Sequence, residues 1–217
     1  WYDNFGCTAG KDIAHLTDVS TTSWYYSELS TAAQMNIFNG YGDGTMGPNR
    51  SITRQEAMIV IARAFAVPDG TAADIQAFRD ASSVGSWAVA KVGGLVKAGI
   101  VNGDNGSLHP TASITRAEIA QMLYNLGLQF CSDAAALPAS GRVIYTGAAP
   151  LTADAFTGTL YLGGPAGRDL GGMNITGTLV VRTDPNGTVT VGGTVDTLAV
   201  AAEDTTVAGA GRAALVR

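Results

Sequence analysis

The sequence predicts an α+β chain in which helical repeats are followed by an all-β region. A stretch of helical character recurs with small gaps at an offset of 62 to 63 residues. Residues 142–217 instead contain short β-branched runs between glycines, and no lysine. We therefore expect an N-terminal segment at 1–15, repeat A at 16–66, a linker at 67–77, repeat B at 78–128, a linker at 129–141 and a glycine-rich β domain at 142–217.

Composition restricts the class of protein. The chain has 217 residues, a net charge of −5 and a charged fraction of 14%. An acidic chain of this kind argues against nucleic acid as the main partner, because phosphate binding needs a basic field. No apolar run is long enough to span a bilayer. The first residues, WYDNFG, resemble neither part of a signal peptide, so we expect a mature or trimmed fragment of a secreted bacterial protein.

The two cysteines, Cys7 and Cys131, allow two interpretations. They could form a disulfide that joins the N-terminal segment to the end of the helical region. They could equally be two unrelated free thiols. Disulfide formation depends on a distance that the sequence does not contain, so both interpretations stay open.

Each repeat is predicted to form a helix, a glycine-rich loop and a second helix. Apolar residues at positions i, i+4, i+7 and i+8 indicate the first helix, because these positions share one helical face. They are Tyr25, Leu29, Ala32 and Ala33 in repeat A, and Ala88, Val92, Leu95 and Val96 in repeat B. Ser23 and Ser86 are predicted N-caps, since a serine oxygen can accept a free N–H of the first turn.

The loops after the first helices are rich in glycine, asparagine and aspartate. Gly40 and Gly103 are predicted to follow the helix ends with positive φ, which also leaves backbone accessible to a ligand. Trp24 and Trp87 occupy matching positions near the helix starts. A tryptophan there is more common in a core than as a platform for a sugar ring, and both interpretations stay open.

The second helix of each repeat begins with the same motif, Ile-Thr-Arg-x-Glu. Thr-x-x-Glu ahead of an apolar run is the capping box, in which threonine and glutamate satisfy each other's backbone N–H groups. Thr53 with Glu56, and Thr115 with Glu118, are therefore predicted to be structural caps.

The capping box gives no reason for the arginine of the motif, Arg54 or Arg116. An arginine in the first turn faces the positive end of the helix dipole, which costs about 0.3–1 kcal/mol. A guanidinium beside free helix N–H groups can instead bind an anion, since both kinds of donor converge on one negative group. The alternatives are a solvated side chain or a salt bridge to Asp18 or Asp80.

Together, these motifs resemble the S-layer homology module over residues 16 to 128. The resemblance rests on Asp-Val before Trp-Tyr, on NIFNGYGDGTMGPNRSITRQEA, and on GIVNGDNGSLHP with ITRAEIAQML. Modules of this family usually form a pseudo-threefold bundle of three, which anchors proteins non-covalently to secondary cell-wall polymers of Gram-positive-type bacteria, often through a pyruvylated sugar. The resemblance implies that the arginines and glycine loops hold the ketal carboxylate and sugar hydroxyls. The predicted ligand-binding set is Arg54, Arg116, Asp18, Asp80, Trp24, Trp87, Gly40 and Gly103.

The chain departs from the family pattern in three places. Only two full modules are visible, and residues 1–15 are too short for a third. The loop at 104–106 is one residue shorter than the loop at 41–44 and lacks its aromatic residue. Ala81 replaces the valine after the aspartate. An incomplete bundle is therefore expected, which a partner chain or an upstream segment would complete.

The β region has its own period. Leu179, Val189, Leu198 and Val207 recur every nine or ten residues. Short strands with small-residue turns at this spacing are typical of a β-solenoid, with a β-sandwich as the alternative.

The expected function is that of a secreted, non-catalytic protein of the cell wall or surface layer. Its expected partner is a pyruvylated wall polysaccharide, and self-association stays open. We expect no nucleic-acid partner, no membrane span, no cofactor and no metal site. No hydrolase elbow, phosphate loop or His-Glu-x-x-His motif is present. The loop at 102–113 lacks the closing glutamate of a calcium-binding loop, so weak calcium binding alone stays open there.

Two alternatives remain at this point. The modules could tether a glycan-processing or adhesin β domain, or they could be purely structural subunits of a surface lattice. A glycosidase would need two carboxylates about 5–9.5 Å apart in one groove. The available carboxylates are Asp154, Asp169, Asp184, Asp196, Glu203 and Asp204.

Overall fold

The computed structural model describes residues 9–202 and 204–216, which fall into two compact units. The repeat unit consists of residues 16–19 and 36–126. The solenoid unit consists of residues 20–35, residues from 127 onward, and the segment before residue 16. Cys7 lies outside the described residues. Cys131 has no disulfide partner within the described part of the chain, and the disulfide and free-thiol interpretations both stay open. The Cys131 sulfur lies 3.0 Å from the carbonyl oxygen of Asp133.

Helices dominate the repeat unit, and the α+β class is confirmed. The helices described are α1 (Tyr26–Gln34), α2 (Arg54–Ala64), α3 (Ala72–Ile75), α4 (Val89–Lys97) and α5 (Arg116–Asn125), with 3-10 turns at Ala81–Ser83 and Ala134–Ala136. Helix α1 belongs to the solenoid unit, where Arg182 Nη1 donates to the carbonyl oxygen of Met35 at 3.0 Å.

The predicted N-caps Ser23 and Ser86 are wrong. Helix α1 begins after Tyr25 and α4 begins after Ala88, and neither has a side-chain cap. The chain instead makes backbone turns before each helix, such as the Ala88 N–H donating to Gly85 O at 2.8 Å. These turns place the helix start two or three residues later than the serines.

The glycines predicted to follow the helix ends have a different role. The residues just beyond the helix ends are Asn36, with φ of 54°, and Gly99, with φ of 69°. Gly40 and Gly103 do have positive φ, at 66° and 71°, but they lie within the loops. A Cβ on Gly40 would lie 2.6 Å from the carbonyl oxygen of Thr45, so a close backbone approach requires glycine there.

Helix α4 packs against both α2 and α3. Helix α3 falls in the predicted linker 67–77, where Thr71 and Asp74 form a further capping box. A Cβ on Gly93 of α4 would lie 2.7 Å from the carbonyl oxygen of Thr71. The absence of a side chain at Gly93 therefore lets α4 approach the backbone before α3.

The solenoid unit is built from parallel strands, so the β-solenoid is confirmed over the β-sandwich. The strands are β1 (Leu128–Cys131), β2 (Ser140–Tyr145), β3 (Ala155–Gly164), β4 (Arg168–Asp169), β5 (Asn174–Thr183), β6 (Thr188–Thr190), β7 (Thr194–Val200), β8 (Thr206–Ala208) and β9 (Arg212–Val216). One sheet has the order β1-β2-β3-β5-β7-β9 and the other has the order β4-β6-β8. The first strands, β1 and the start of β2, lie in the stretch predicted as a linker.

Stacked aliphatic side chains form the solenoid core. Leu160, Leu179 and Leu198 are register partners on neighbouring coils and are buried. Val189 and Val207 pair in the same way in the smaller sheet. The nine-to-ten-residue period of the sequence therefore alternates between the two sheets, because β5 and β7 belong to the larger sheet while β6 and β8 belong to the smaller one.

A ladder of glycines runs across neighbouring coils within the long strands. Gly141, Gly158 and Gly177 are register partners and have φ of 118°, 122° and 129°. The register shifts at this point between β5 and β7, so no glycine continues the ladder. The Asp196 carboxylate accepts the Gly177 N–H at 2.8 Å instead.

None of the helices described is long and apolar enough to cross a membrane.

Candidate functional site

The glycine loop of each repeat is fixed by one aspartate. Asp18 accepts the backbone N–H groups of Met46 at 2.8 Å and Gly47 at 2.7 Å. Two charge-assisted bonds to consecutive N–H groups hold this turn in one conformation. The predicted alternative of a salt bridge from Arg54 to Asp18 does not describe the structure, because Arg54 pairs elsewhere, as described below.

Repeat B has the same arrangement. Asp80 accepts the N–H groups of Leu108 and His109, each at 2.8 Å. His109 has φ of 51° and matches Gly47, whose φ is 68°. The turns at 46–50 and 108–112 therefore have matching geometry, although their side chains differ.

Both predicted capping boxes are present at the starts of α2 and α5. The Thr53 N–H donates to Glu56 Oε2 at 2.6 Å, and the Glu56 N–H donates to Thr53 Oγ1 at 3.4 Å. The Thr115 N–H donates to Glu118 Oε2 at 2.7 Å, and the Glu118 N–H donates to Thr115 Oγ1 at 3.3 Å. These four residues are structural caps in the structure, as the sequence predicts.

Arg54 joins repeat A to repeat B inside the repeat unit. Its side chain is buried, with 6% of the residue exposed. Nε donates to the carbonyl oxygen of Leu108 at 2.9 Å, and Nη1 forms a salt bridge with Glu118 Oε1. The guanidinium therefore already binds one carbonyl and one carboxylate, both from repeat B. The sequence motif contains no signal that Glu118 serves Arg54 as well as its own cap.

Arg116 occupies the matching position at the start of α5 and is exposed. Within the described residues it makes neither an ion pair nor a hydrogen bond through its side chain. The same donors that Arg54 directs to Leu108 and Glu118 thus face solvent in repeat B. Arg54 and Arg116 are both predicted to bind the carboxylate of a ligand, and of the two only Arg116 has an exposed guanidinium among the described residues.

The glycine loop of repeat A carries an aromatic residue, Tyr41, that the loop of repeat B lacks. The Arg50 guanidinium carbon lies 4.3 Å from the centre of the Tyr41 ring, a cation–π contact. Burial and the neighbouring Glu56 charge raise the pKa of Tyr41, so its hydroxyl remains a donor at neutral pH. Tyr41 and Arg50 therefore give the glycine loop of repeat A an aromatic and a cationic side chain near Glu56.

The tryptophans are surface residues, so the core interpretation is wrong. Trp24 is 88% exposed and Trp87 is 61% exposed. Trp87 folds over Gly85, whose N–H donates to Gln55 Oε1 at 2.9 Å. Trp24 belongs to the solenoid unit, whereas the residues that fix the glycine loops belong to the repeat unit.

The loop aspartates are stabilised in the ionised form. The Met46 N–H is the main cause that holds the pKa of Asp18 below its usual value of 3.8, against an opposing effect of burial. Burial pushes the pKa of Asp80 up, but the N–H groups of Leu108 and His109 outweigh it and hold this pKa below 3.8 too. Both groups are thus ionised whenever the loops are folded at neutral pH.

We expect Asp80→Asn to destabilise the repeat unit at neutral pH and to have less effect in acid. A carboxylate whose folded pKa is depressed adds stability above its unfolded value of 3.8 and loses it as the pH falls through the folded value. Urea unfolding followed by helical circular dichroism, from about pH 6 to about pH 3, checks this. The wild-type and Asp80→Asn midpoints should converge below pH 3.8. The exposed control Asp104→Asn should follow the wild type throughout, and a constant gap for Asp80→Asn would contradict the prediction.

A profile of the S-layer homology domain matches the chain twice, at residues 15–58 and 77–120. The chain carries two S-layer homology domains. Each matched segment includes the loop aspartate, the glycine loop and the capping box described above. The resemblance predicted from the motifs is confirmed.

Surface-layer proteins are among the relatives over this region. The chain is 33% identical over 111 residues to the Surface-layer 125 kDa protein of Lysinibacillus sphaericus, a match covering 49% of this chain and 9% of that protein. It is 31% identical over 122 residues to S-layer protein EA1 of Bacillus anthracis, covering 54% of this chain and 14% of that protein. The chain therefore spans only a small part of the relatives it matches.

An enzyme carries a similar segment. The chain is 32% identical over 111 residues to the Amylopullulanase of Thermoanaerobacterium thermosulfurigenes, covering 50% of this chain and 6% of that protein. S-layer homology domains generally bind cell-wall polysaccharide. The two domains and the surface-layer relatives support a cell-surface protein of the cell-wall-anchoring type.

Three of the carboxylates named above as glycosidase candidates accept backbone N–H groups. Asp169 accepts the Gly171 N–H at 2.8 Å, Asp196 accepts Gly177, and Asp184 accepts the Ala9 N–H at 3.1 Å. Among the residues with a described placement, no cluster of three His, Cys, Asp or Glu side chains could hold a metal ion.

Proposed function

We propose that this chain is a non-catalytic surface protein held non-covalently on an anionic, pyruvylated secondary cell-wall polysaccharide of a Gram-positive-type bacterium. The observation that carries the proposal is the exposed Arg116 at the N-terminus of α5. Its guanidinium and the free N–H groups of the first helical turn are donors for one carboxylate. A pyruvyl ketal on a sugar presents such a carboxylate.

The joint at Arg54 supports this choice of ligand. There the same motif binds a carboxylate oxygen of Glu118 and a carbonyl oxygen of Leu108. A pyruvylated sugar offers the same pair of chemical groups. Its pyruvyl carboxylate supplies the anionic oxygen, and an N-acyl carbonyl or a hydroxyl supplies the neutral one. In this proposal Arg54 shapes the site by holding Glu118 and the 108–112 turn, and Arg116 contacts the polymer.

The remaining predicted site residues have supporting roles in the proposal. Asp18 and Asp80 fix the loops, and Gly40 and Gly103 permit their close backbone turns. Trp24 and Trp87 are exposed aromatic faces on which sugar rings can stack.

Arg116→Ala is expected to weaken binding to the purified polysaccharide by roughly tenfold to one hundredfold, because one charge-assisted hydrogen-bond donor is lost. Calorimetry with native polymer, and with polymer stripped of pyruvyl groups by mild acid, measures the effect. The wild type should lose a similar factor on the stripped polymer, and Arg116→Ala should hardly distinguish the two polymers. Arg212→Ala, on an exposed arginine of β9, is the matched control and should bind like the wild type. Equal binding of native and stripped polymer by the wild type would refute a carboxylate site.

A further inference from the structure

The second helices of the two repeats have the same sequence motif but opposite surroundings. Helix α2 buries eight residues, among them Arg54, Gln55 and Met58. Helix α5 buries only Met122 among its residues. Tyr124, at the position that matches Ala62, is 81% exposed, whereas Ala62 is fully buried. The surface that repeat B covers on α2 is thus uncovered on α5.

Backbone bonds as well as side chains make the joint on α2. The Arg54 N–H donates to Ala112 O at 2.8 Å, and the Gln55 N–H donates to Pro110 O at 3.0 Å. These two bonds satisfy free N–H groups at the start of α2 with carbonyls from the 108–112 turn. Arg54 Nε adds a third bond, to the Leu108 carbonyl oxygen. Three carbonyls of the 108–112 turn therefore accept hydrogen bonds from the start of α2.

The repeat unit carries a second copy of the backbone groups that form each half of this joint. At α5, the N–H groups of Arg116 and Ala117 match those of Arg54 and Gln55. None of the backbone contacts described for residues 9–202 and 204–216 uses them. At the turn 46–50, the carbonyls of Met46, Pro48 and Arg50 match those of Leu108, Pro110 and Ala112. They accept no hydrogen bond from the described part of the chain either.

The two acceptor turns, 46–50 and 108–112, match in backbone hydrogen bonding as well as in sequence position. Asp18 holds the 46–50 turn through two N–H groups as Asp80 holds the 108–112 turn. The Arg50 N–H donates to Gly47 O at 3.0 Å, and the matching Ala112 N–H donates to His109 O at 3.2 Å. The carbonyls that would receive a second helix start are therefore preorganised in repeat A.

We propose that two copies of this chain associate head to tail, with α5 of one copy seated on the 46–50 turn of the other. Arg116 Nε then donates to the carbonyl of Met46, and the Arg116 guanidinium pairs with Glu56. The Arg116 and Ala117 N–H groups bind the carbonyls of Arg50 and Pro48. Glu56 keeps its bonds to the Thr53 N–H and hydroxyl, because a carboxylate can accept several hydrogen bonds.

This interface is heterologous. Each copy carries one donor half, at α5, and one acceptor half, at the 46–50 turn, and one interface joins the donor half of one copy to the acceptor half of the other. It also uses Arg116, the residue assigned above to the wall polysaccharide. A copy seated on α5 therefore excludes the polymer from that site, and self-association and wall binding compete. The competition rests on the proposed function, whereas the association itself does not.

Light scattering across protein concentration, without polysaccharide, tests the interface. The wild-type average mass should rise with concentration, while Arg116→Glu and Glu56→Gln should each reduce the association constant by roughly tenfold or more. Glutamine keeps the capping box, so Glu56→Gln should still fold. The control Arg212→Glu changes the same charge on β9 and should associate like the wild type.

Mixing the two variants gives the sharpest result. Arg116→Glu keeps the acceptor half and Glu56→Gln keeps the donor half, so an equimolar mixture should form a one-to-one dimer and nothing larger. A wild-type chain that stays monomeric at all concentrations, or a mixture no heavier than its components, overturns the proposal. Loss of polysaccharide binding as the wild-type concentration rises is expected if both proposals hold. Polymer binding by dilute wild type without any self-association would sink the head-to-tail interface and leave the anchor intact.

Discussion

Replacing Arg54 with alanine should lower the free energy of unfolding of the repeat unit by about 2–3 kcal/mol. The change removes the donor for the Leu108 carbonyl and the partner of Glu118 Oε1. It also removes an aliphatic stem that is buried against repeat B. The estimate stays below that for a fully buried pair because the Glu118 side chain is 39% exposed and can be solvated by water.

The chain offers a matched control for this prediction. Arg116→Ala changes the same residue in the same motif, one repeat later, where the side chain is exposed. Its effect should stay within about 0.5 kcal/mol. Urea unfolding followed by far-ultraviolet circular dichroism measures both variants, because the helices are concentrated in the repeat unit. Equal effects of the two substitutions would show that Arg54 does not join the repeats.

Gly177→Ala should destabilise the solenoid unit by about 2–4 kcal/mol. Gly177 has φ of 129°, a conformation that alanine adopts only with strain. An added Cβ would also collide with the carbonyl oxygen of Gly158 on the neighbouring coil. That oxygen belongs to the backbone of a paired strand and cannot move aside without breaking the register between β3 and β5.

Gly172→Ala is the control for the glycine ladder. It lies in the same coil, and an added Cβ there has no heavy atom within 4 Å. Its stability should match the wild type to within about 0.5 kcal/mol. Thermal unfolding followed by circular dichroism in the strand region compares the two. If Gly177→Ala melts with the wild type, the ladder position tolerates a side chain and the ladder has no structural role.

Local rules predicted the elements whose partners are close in sequence. The capping boxes at Thr53 and Thr115 form because threonine and glutamate three residues apart meet within one helical turn. The solenoid period is equally local in origin, since Leu179 and Leu198 repeat once per coil and stack in register. Rules of this kind need only the chain geometry of a few residues or one repeat.

Other features depended on packing that no short window contains. The N-caps assigned to Ser23 and Ser86 failed because backbone turns moved both helix starts. The tryptophans lie on the surface although their size favours burial, because α1 and α4 begin beyond them. Strand β1 lies in an apparent linker, since its parallel partner β2 lies more than ten residues away in sequence.

The two arginines show most clearly what the sequence determined and what it left to the tertiary structure. The sequence determined that Arg54 and Arg116 each stand in the first turn of a capped helix. It also indicated that those donors suit a negatively charged group. Only the tertiary structure decided that Arg54 is buried against Leu108 and Glu118 while Arg116 is exposed. The physical reason is that burial depends on which neighbour covers a helix: repeat B follows repeat A and covers α2, and α5 has its matching surface open.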